Sequence, residues 1–261
     1  MSRVRVTAKR RLGQHLLVDD NILGVIGRLA DLQPDDVVLE IGPGLGVLTG
    51  YLAERVSRVI AVEIDSSLEA ELAERLARRT NVELLFGDAL SLDLGSLRPS
   101  PRKLVANLPY NVATPIVVES LDRLPSVERW CVMVQREVAE RFFARPGTKA
   151  YGSVSVLLQL ATERTGFHPV ARTVFRPRPN VESALVAFTR VPLPQDYARV
   201  KRVVQAAFAH RRKMLTNSLE LAGLTSRERA AAALADLGLD PGIRAEALRP
   251  EQFAQLAGLL A

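Results

Sequence analysis

The sequence holds little of what a disulfide framework or a metal cluster needs. Its 261 residues include one cysteine and three histidines, so no intrachain disulfide can form, and no ligand spacing joins the histidines. The single thiol, Cys131, lies in the apolar run "WCVMV", which fits a reducing, intracellular compartment. No apolar run approaches the roughly 20 residues that a membrane span requires. The basic start "MSRVRVTAKRRLGQHLL" is not followed by the apolar segment of a signal peptide. A cytoplasmic protein is expected. There is also no internal repeat and no low-complexity tract.

What is present is ordinary for a globular chain: 48% apolar and 25% charged residues. The length allows one large domain and a small one. A formal net charge of +6 favours a polyanionic partner such as nucleic acid.

From Val37 to about Arg190, short apolar runs alternate with amphipathic stretches, the pattern of an α/β sheet. "DVVLEIG", "RVIAVEID", "NVELLFGDAL", "KLVANLP" and "RWCVMVQ" read as five strands. A helix is expected from Leu48 to Glu54, and another over Glu137–Phe143. Two further strand-like segments lie near Val154–Thr165 and Ser183–Thr189. Beyond a boundary at Val191–Asp196 the chain turns Ala/Leu/Arg-rich, with helices expected over Tyr197–Leu221, Ser226–Leu237 and Pro250–Leu260.

"VLEIGPGLGVLTGYL" reads as strand, glycine loop and helix, a turn that brings backbone N–H groups close to a ligand. A dinucleotide fingerprint needs a third glycine where Val47 stands, so the pattern Glu40, Gly42, Gly44, Gly46 counts against NAD. Glu63 ends the next strand, where a carboxylate can accept both ribose hydroxyls, followed by Ile64. Asp88, followed by Ala89, ends the third strand, where it can accept from an adenine amino group. Glycine loop, acid and acid at successive strand ends point to an adenosyl ligand. The fourth strand ends in "NLPY", Asn107 to Tyr110, which offers neutral oxygen acceptors, a rigid turn and an aromatic face.

This series resembles class I S-adenosylmethionine-dependent methyltransferases. More closely, it resembles the ribosomal RNA adenine N6-dimethyltransferases, the kasugamycin-sensitivity family acting on small-subunit rRNA. The resemblance is carried over nearly the whole chain by "RRLGQHLLVDDNIL", "LEIGPGLGVLT", "AVEID", "GDAL", "NLPYNVATPI", "QREVAERFFARPGTKAYGSVSV", "FRPRPNVESA" and "FAHRRKMLTNSL". It implies a Rossmann-like α/β sheet with helices on both faces and a small C-terminal all-α domain. Residues 1–192 would form the methyltransferase domain, with 1–20 a basic segment closing over the cofactor, and 193–261 a helical RNA-binding domain.

The resemblance also implies roles. S-adenosyl-L-methionine would be held by His15, Leu17, Gly42, Gly44, Glu63, Ile64, Asp88, Ala89 and Asn107. The family's usual Gln-Asn-Phe-Leu reads here with His15 for Asn and Leu16 for Phe, and Ala113 stands where many members have Ser. The target amino group would be oriented by the Asn107 side-chain oxygen and the Leu108 carbonyl, the latter aimed by Pro109. Tyr110 and Phe175 would sandwich the flipped adenine. Arg10, Arg11, His210, Arg211, Arg212 and Lys213, the last four expected on a helix as a basic collar, would contact phosphates. A monomer acting on the small ribosomal subunit or its precursor is expected. The alternatives from sequence are a large-subunit, macrolide-resistance-type relative, a ribosome-assembly factor with secondary catalysis, a DNA adenine methyltransferase and an NAD-dependent oxidoreductase.

Overall fold

In a computed structural model, residues 16–17 and 19–260 are described. The chain opens with β1 (Leu16–Leu17), α1 (Asp20–Ala30), β2 (Val37–Ile41), α2 (Val47–Ala53) and β3 (Arg58–Glu63). It continues through α3 (Glu69–Leu76), β4 (Val82–Phe86), β5 (Lys103–Asn107), α4 (Ala113–Arg123) and β6 (Arg129–Gln135). Next come α5 (Arg136–Phe142), α6 (Ser153–Ala161), β7 (Thr162–Val170), β8 (Phe175–Arg176) and β9 (Ser183–Arg190). The last helices are α7 (Tyr197–Ala209), α8 (Leu215–Leu221), α9 (Arg227–Asp236) and α10 (Pro250–Leu259).

Seven strands form one mixed sheet in the order β4-β3-β2-β5-β6-β9-β7. Strands β4, β3, β2, β5 and β6 run parallel, and β9 pairs antiparallel with β6. The central strands are buried as continuous runs, Val59–Glu63 in β3 and Trp130–Val134 in β6, as a sheet covered on both faces requires. Helix α1 starts where the Asp19 side chain accepts from the Asn21 N–H at 2.8 Å. It buries Ile22, Leu23, Ile26 and Ala30, one stripe at helical spacing, in a core shared with Val38, Val105, Met133 and Leu185. Beneath the sheet's N-terminal ends, Lys103 Nζ pairs with Asp36 at 2.6 Å, both side chains nearly buried.

The chain order departs from the sheet order at β2: β3 and β4 extend to one side, β5 and β6 to the other. That reversal creates a crevice at the strands' C-terminal ends, where open α/β sheets bind ligands.

The contacts divide the chain into two compact units. One runs to Ala139 and includes Arg164–Arg190; the other joins Glu140–Glu163 to the segment from Val191 onward. Within the second unit, Phe208 packs edge-on against Tyr151, with ring centroids 6.0 Å apart, and lies 5.7 Å from Phe253. The Tyr151 hydroxyl donates to the Leu248 carbonyl at 2.8 Å, which satisfies a polar group inside this core.

Two expectations need correction. Val154–Thr165 is mostly the helix α6, not a strand, and β7 begins only at Thr162. A short apolar run with β-branched residues cannot be told from a buried helix by periodicity. Here Gly152 and Ser155 tip the balance, because the Ser155 hydroxyl accepts from the Gly152 N–H at 3.1 Å and starts the helix. Second, Tyr197–Leu221 is not one helix: α7 ends at Ala209 and α8 begins at Leu215. His210–Lys213 therefore forms a turn, closed by Lys213 N–H donating to the His210 carbonyl at 2.9 Å.

Candidate active site

The crevice at the sheet reversal is lined from several strand ends at once. Gly42 and Gly44 come from the loop after β2, Glu63 and Ile64 from the end of β3, Asp88 and Ala89 from the end of β4. Asn107, Leu108, Pro109 and Tyr110 come from the end of β5, and Leu17 from β1. Eleven of the positions expected from sequence thus share one cavity.

Local hydrogen bonds explain how these ends meet. The Gly42 N–H donates to the Val62 carbonyl at 2.9 Å and the Gly87 N–H to the Glu63 carbonyl at 2.8 Å, so three strand ends are laced together. Gly42 takes φ +76°, a left-handed conformation that disfavours any side chain. Buried Glu63 is held by the glycine loop and by its own chain: Oε2 accepts from Gly44 N–H at 3.1 Å and Oε1 from Asp65 N–H, two residues on, at 3.0 Å. Each oxygen keeps a second acceptor position. Asp88 Oδ1 accepts from Leu90 N–H at 2.9 Å and Oδ2 from the Ser91 hydroxyl at 3.2 Å, which folds the loop under it. The Arg123 guanidinium on α4 holds that loop by donating to the Leu90 and Leu92 carbonyls.

The "NLPY" turn is equally tied. Leu108 N–H donates to the Met133 carbonyl at 3.1 Å, and Val112 N–H to the Pro109 carbonyl at 3.1 Å. The Tyr110 hydroxyl bonds Ser183 Oγ at the start of β9, and burial raises the tyrosine's pKa.

Glu40 lines the cleft too, although sequence reasoning assigned it no role. Its signal was a charged residue inside an otherwise apolar strand. Glu40 is 1% exposed, and the buried Thr49 hydroxyl on α2 lies beside its carboxyl group. Burial pushes its carboxyl up to about 8; the neighbouring Thr49 hydroxyl works against this shift and Glu63 adds to it. Ile64, by contrast, is a large apolar side chain 55% exposed on the cleft wall.

Other expected residues lie elsewhere. Phe175 is 2% exposed and packs in the core cluster that includes Leu17. The register pairs Leu17 with Phe175 across β1 and β8. His15, Arg10 and Arg11 fall outside the described residues. In the helical unit, Arg212 and Lys213 are exposed. Arg211 donates to the carbonyls of Lys149 and Tyr151 at 3.2 and 3.0 Å.

A sheet of this order, with glycine loop, two strand-end acids and an Asn-Leu-Pro-Tyr turn around one crevice, has the architecture of a class I methyltransferase. The family model for ribosomal RNA adenine dimethylase matches residues 5–261. Ribosomal RNA small subunit methyltransferase A of Rubrobacter xylanophilus is 49% identical, over 95% of this chain and 93% of its own length. The protein of the same name from Kineococcus radiotolerans is 46% identical over 98% and 87%. Among solved structures, a dimethyladenosine transferase from Plasmodium falciparum superposes with a TM-score of 0.80 at 25% identity, covering 93% of this chain and 96% of that one. The 23S rRNA methyltransferase ErmE gives a TM-score of 0.68 at 31% identity, covering 94% and 99%. The chain belongs to the ribosomal RNA adenine dimethylase family.

Proposed function

We propose that the protein transfers methyl groups from S-adenosylmethionine to N6 of each of two adjacent adenosines near the 3′ end of 16S rRNA, in the small ribosomal subunit or its precursor. The observation that carries this reading is the single cleft that gathers Gly42, Gly44, Glu63, Asp88 and Asn107–Tyr110.

The cleft suits this cofactor. Glu63 and Asp88 supply acceptors for ribose hydroxyls and an adenine amino group, and exposed Ile64 gives the base an apolar wall. The described lining residues include three carboxyl groups and no basic side chain, which matches a cationic ligand. Bound S-adenosylmethionine supplies a methyl group already activated on sulfur, so the chain needs no strong base.

An adenine amino nitrogen shares its lone pair with the ring. The Asn107 oxygen and the Leu108 carbonyl hold its hydrogens and turn the lone pair toward the methyl group. As methyl transfer proceeds, the amino group becomes more acidic, and one proton passes to solvent. Tyr110, held by Ser183, presents a ring face to the base. Phe175 is the second aromatic proposed to stack on the base; its ring is buried here, and the register pairs it with Leu17. The turn at His210–Lys213 and the basic segment with Arg10 and Arg11 would contact phosphates, so the helical unit serves RNA binding. The protein acts as a cytoplasmic monomer with a role in ribosome biogenesis. No described helix is long and apolar enough to cross a membrane.

The likeness to ErmE favours a second reading, methylation of a large-subunit adenine. Labelled cofactor incubated with undermethylated small subunits, followed by mapping of the label, tests the first. Label on adjacent 3′ adenosines as dimethyladenosine is the expected result; label only on large-subunit RNA would select the second.

A further inference from the structure

Asp88 stands in the cleft on a loop that forms one hydrogen-bonded unit. Its side chain accepts from the Leu90 N–H at 2.9 Å and from the Ser91 hydroxyl at 3.2 Å. Its carbonyl accepts from the N–H groups of Ser91 and Leu92, both at 2.9 Å. Any displacement of Leu90–Leu92 therefore carries the Asp88 carboxylate with it. Behind this unit lies a second, small cavity. Ile41, Ala89, Leu90 and Ile116 line both it and the main cleft, and so form the wall between the two spaces. Empty space behind a loop supplies no contacts that resist its retreat.

Arg123 supplies that resistance. It is the last residue of α4 and lines the small cavity. Nη1 donates to the Leu90 carbonyl and Nη2 to the Leu92 carbonyl, so one planar fork fixes two points of the loop at once. Helix α4 also begins beside the turn that carries the amino-group acceptors, where Val112 N–H donates to the Pro109 carbonyl at 3.1 Å. Its 11 residues, about 16 Å of helix, run from the substrate turn to the Asp88 loop.

We propose that Arg123 is a positioning residue for base selectivity: it holds the Asp88 carboxylate against the amino group of the cofactor's adenine. The inference rests on the reading that the cleft takes S-adenosylmethionine with its adenine at Asp88. Arg123 does not line the main cleft, so it acts through the loop and not by contact with the cofactor. A carboxylate fixed at this place accepts from an exocyclic amino group. It repels the ring carbonyl of hypoxanthine, which puts a lone pair where adenine offers a hydrogen. Contacts of Glu63 with the ribose are common to both bases, so they carry no such selectivity.

Titration calorimetry of the full chain with S-adenosylhomocysteine and with S-inosylhomocysteine tests this. The unmodified chain should prefer the adenosyl ligand by about 100-fold. In Arg123→Gln the adenosyl affinity should fall about tenfold and the inosyl affinity by less than about threefold, so the preference shrinks. A merely structural role would weaken both ligands alike, so equal losses or an unchanged preference would overturn the proposal. If Arg123→Gln does not fold, Arg123→Lys is read by the same ratio, because an ammonium group cannot present two donors in one plane. A reduced preference is expected there too, and a ratio equal to that of the unmodified chain rejects the role. An unmodified chain that binds neither ligand would instead overturn the cofactor assignment itself. One that binds both equally would overturn the placement of adenine at Asp88, and this inference with it.

Discussion

Gly42 lies beside Pro109 so closely that a β-carbon on it would stand 3.4 Å from Pro109 Cδ and 3.5 Å from its Cγ. The loop after β2 and the turn after β5 thus approach each other closely. Gly42→Ala would add a methyl group at a left-handed φ of +76°, a backbone state costing about 1–2 kcal/mol for such a residue. Cofactor affinity is expected to fall about tenfold, read by calorimetry. Unchanged affinity would show that the two loops do not share one geometry.

Asn107 is expected to act on turnover. Asn107→Ala should lower kcat by about 100-fold or more, the usual loss when a transition-state hydrogen-bond group is removed. Cofactor affinity should change far less. Single-turnover methylation beside direct cofactor binding separates the two effects, and equal losses would point to misfolding.

Tyr110 carries both a ring and the hydroxyl bonded to Ser183. Tyr110→Phe keeps the ring and is expected to retain most activity. Tyr110→Ala loses the stacking face, worth about 1–3 kcal/mol per base, and should cripple turnover with cofactor affinity nearly intact. Similar rates for the two variants would remove the stacking role.

Stability should respond to Glu40 with a defined sign. A carboxyl raised from 4.5 to about 8 on folding contributes fully below pH 4.5, and this contribution is lost progressively as the pH rises through about 8. The free chain should therefore lose melting temperature over that window relative to Glu40→Gln, and the difference should level off above it. Melting curves at several pH values check this, and a constant difference would show that Glu40 does not titrate there.

The Lys103–Asp36 pair, 2.6 Å apart and nearly buried, should be needed for stability. Asp36→Ala leaves the lysine charge buried without its carboxylate and is expected to cost about 3–5 kcal/mol, measured by denaturant unfolding. A loss below about 1 kcal/mol would class the pair with surface ion pairs.

Arg212 and Lys213 are exposed, whereas Arg211 also clamps Lys149 and Tyr151. Arg212→Ala and Lys213→Ala should each weaken RNA binding and reduce the salt slope by about 1. Slopes equal to that of the unmodified chain would move the phosphate contacts elsewhere.

By itself the sequence determined the parallel strands and the residues at their ends. Val59–Val62 and Leu104–Ala106 have few alternatives to buried strands, and acids and glycines directly beyond them fall where a parallel sheet presents its C-terminal edge. Tertiary structure decided what local pattern leaves degenerate: that Val154–Ala161 is helical, that His210–Lys213 breaks a helix, and that Phe175 is buried in the core and paired in register with Leu17. It also decided the state of Glu40. A carboxyl group's protonation depends on what surrounds it, and Thr49 and Glu63 reach it only through the folded sheet and its first crossover.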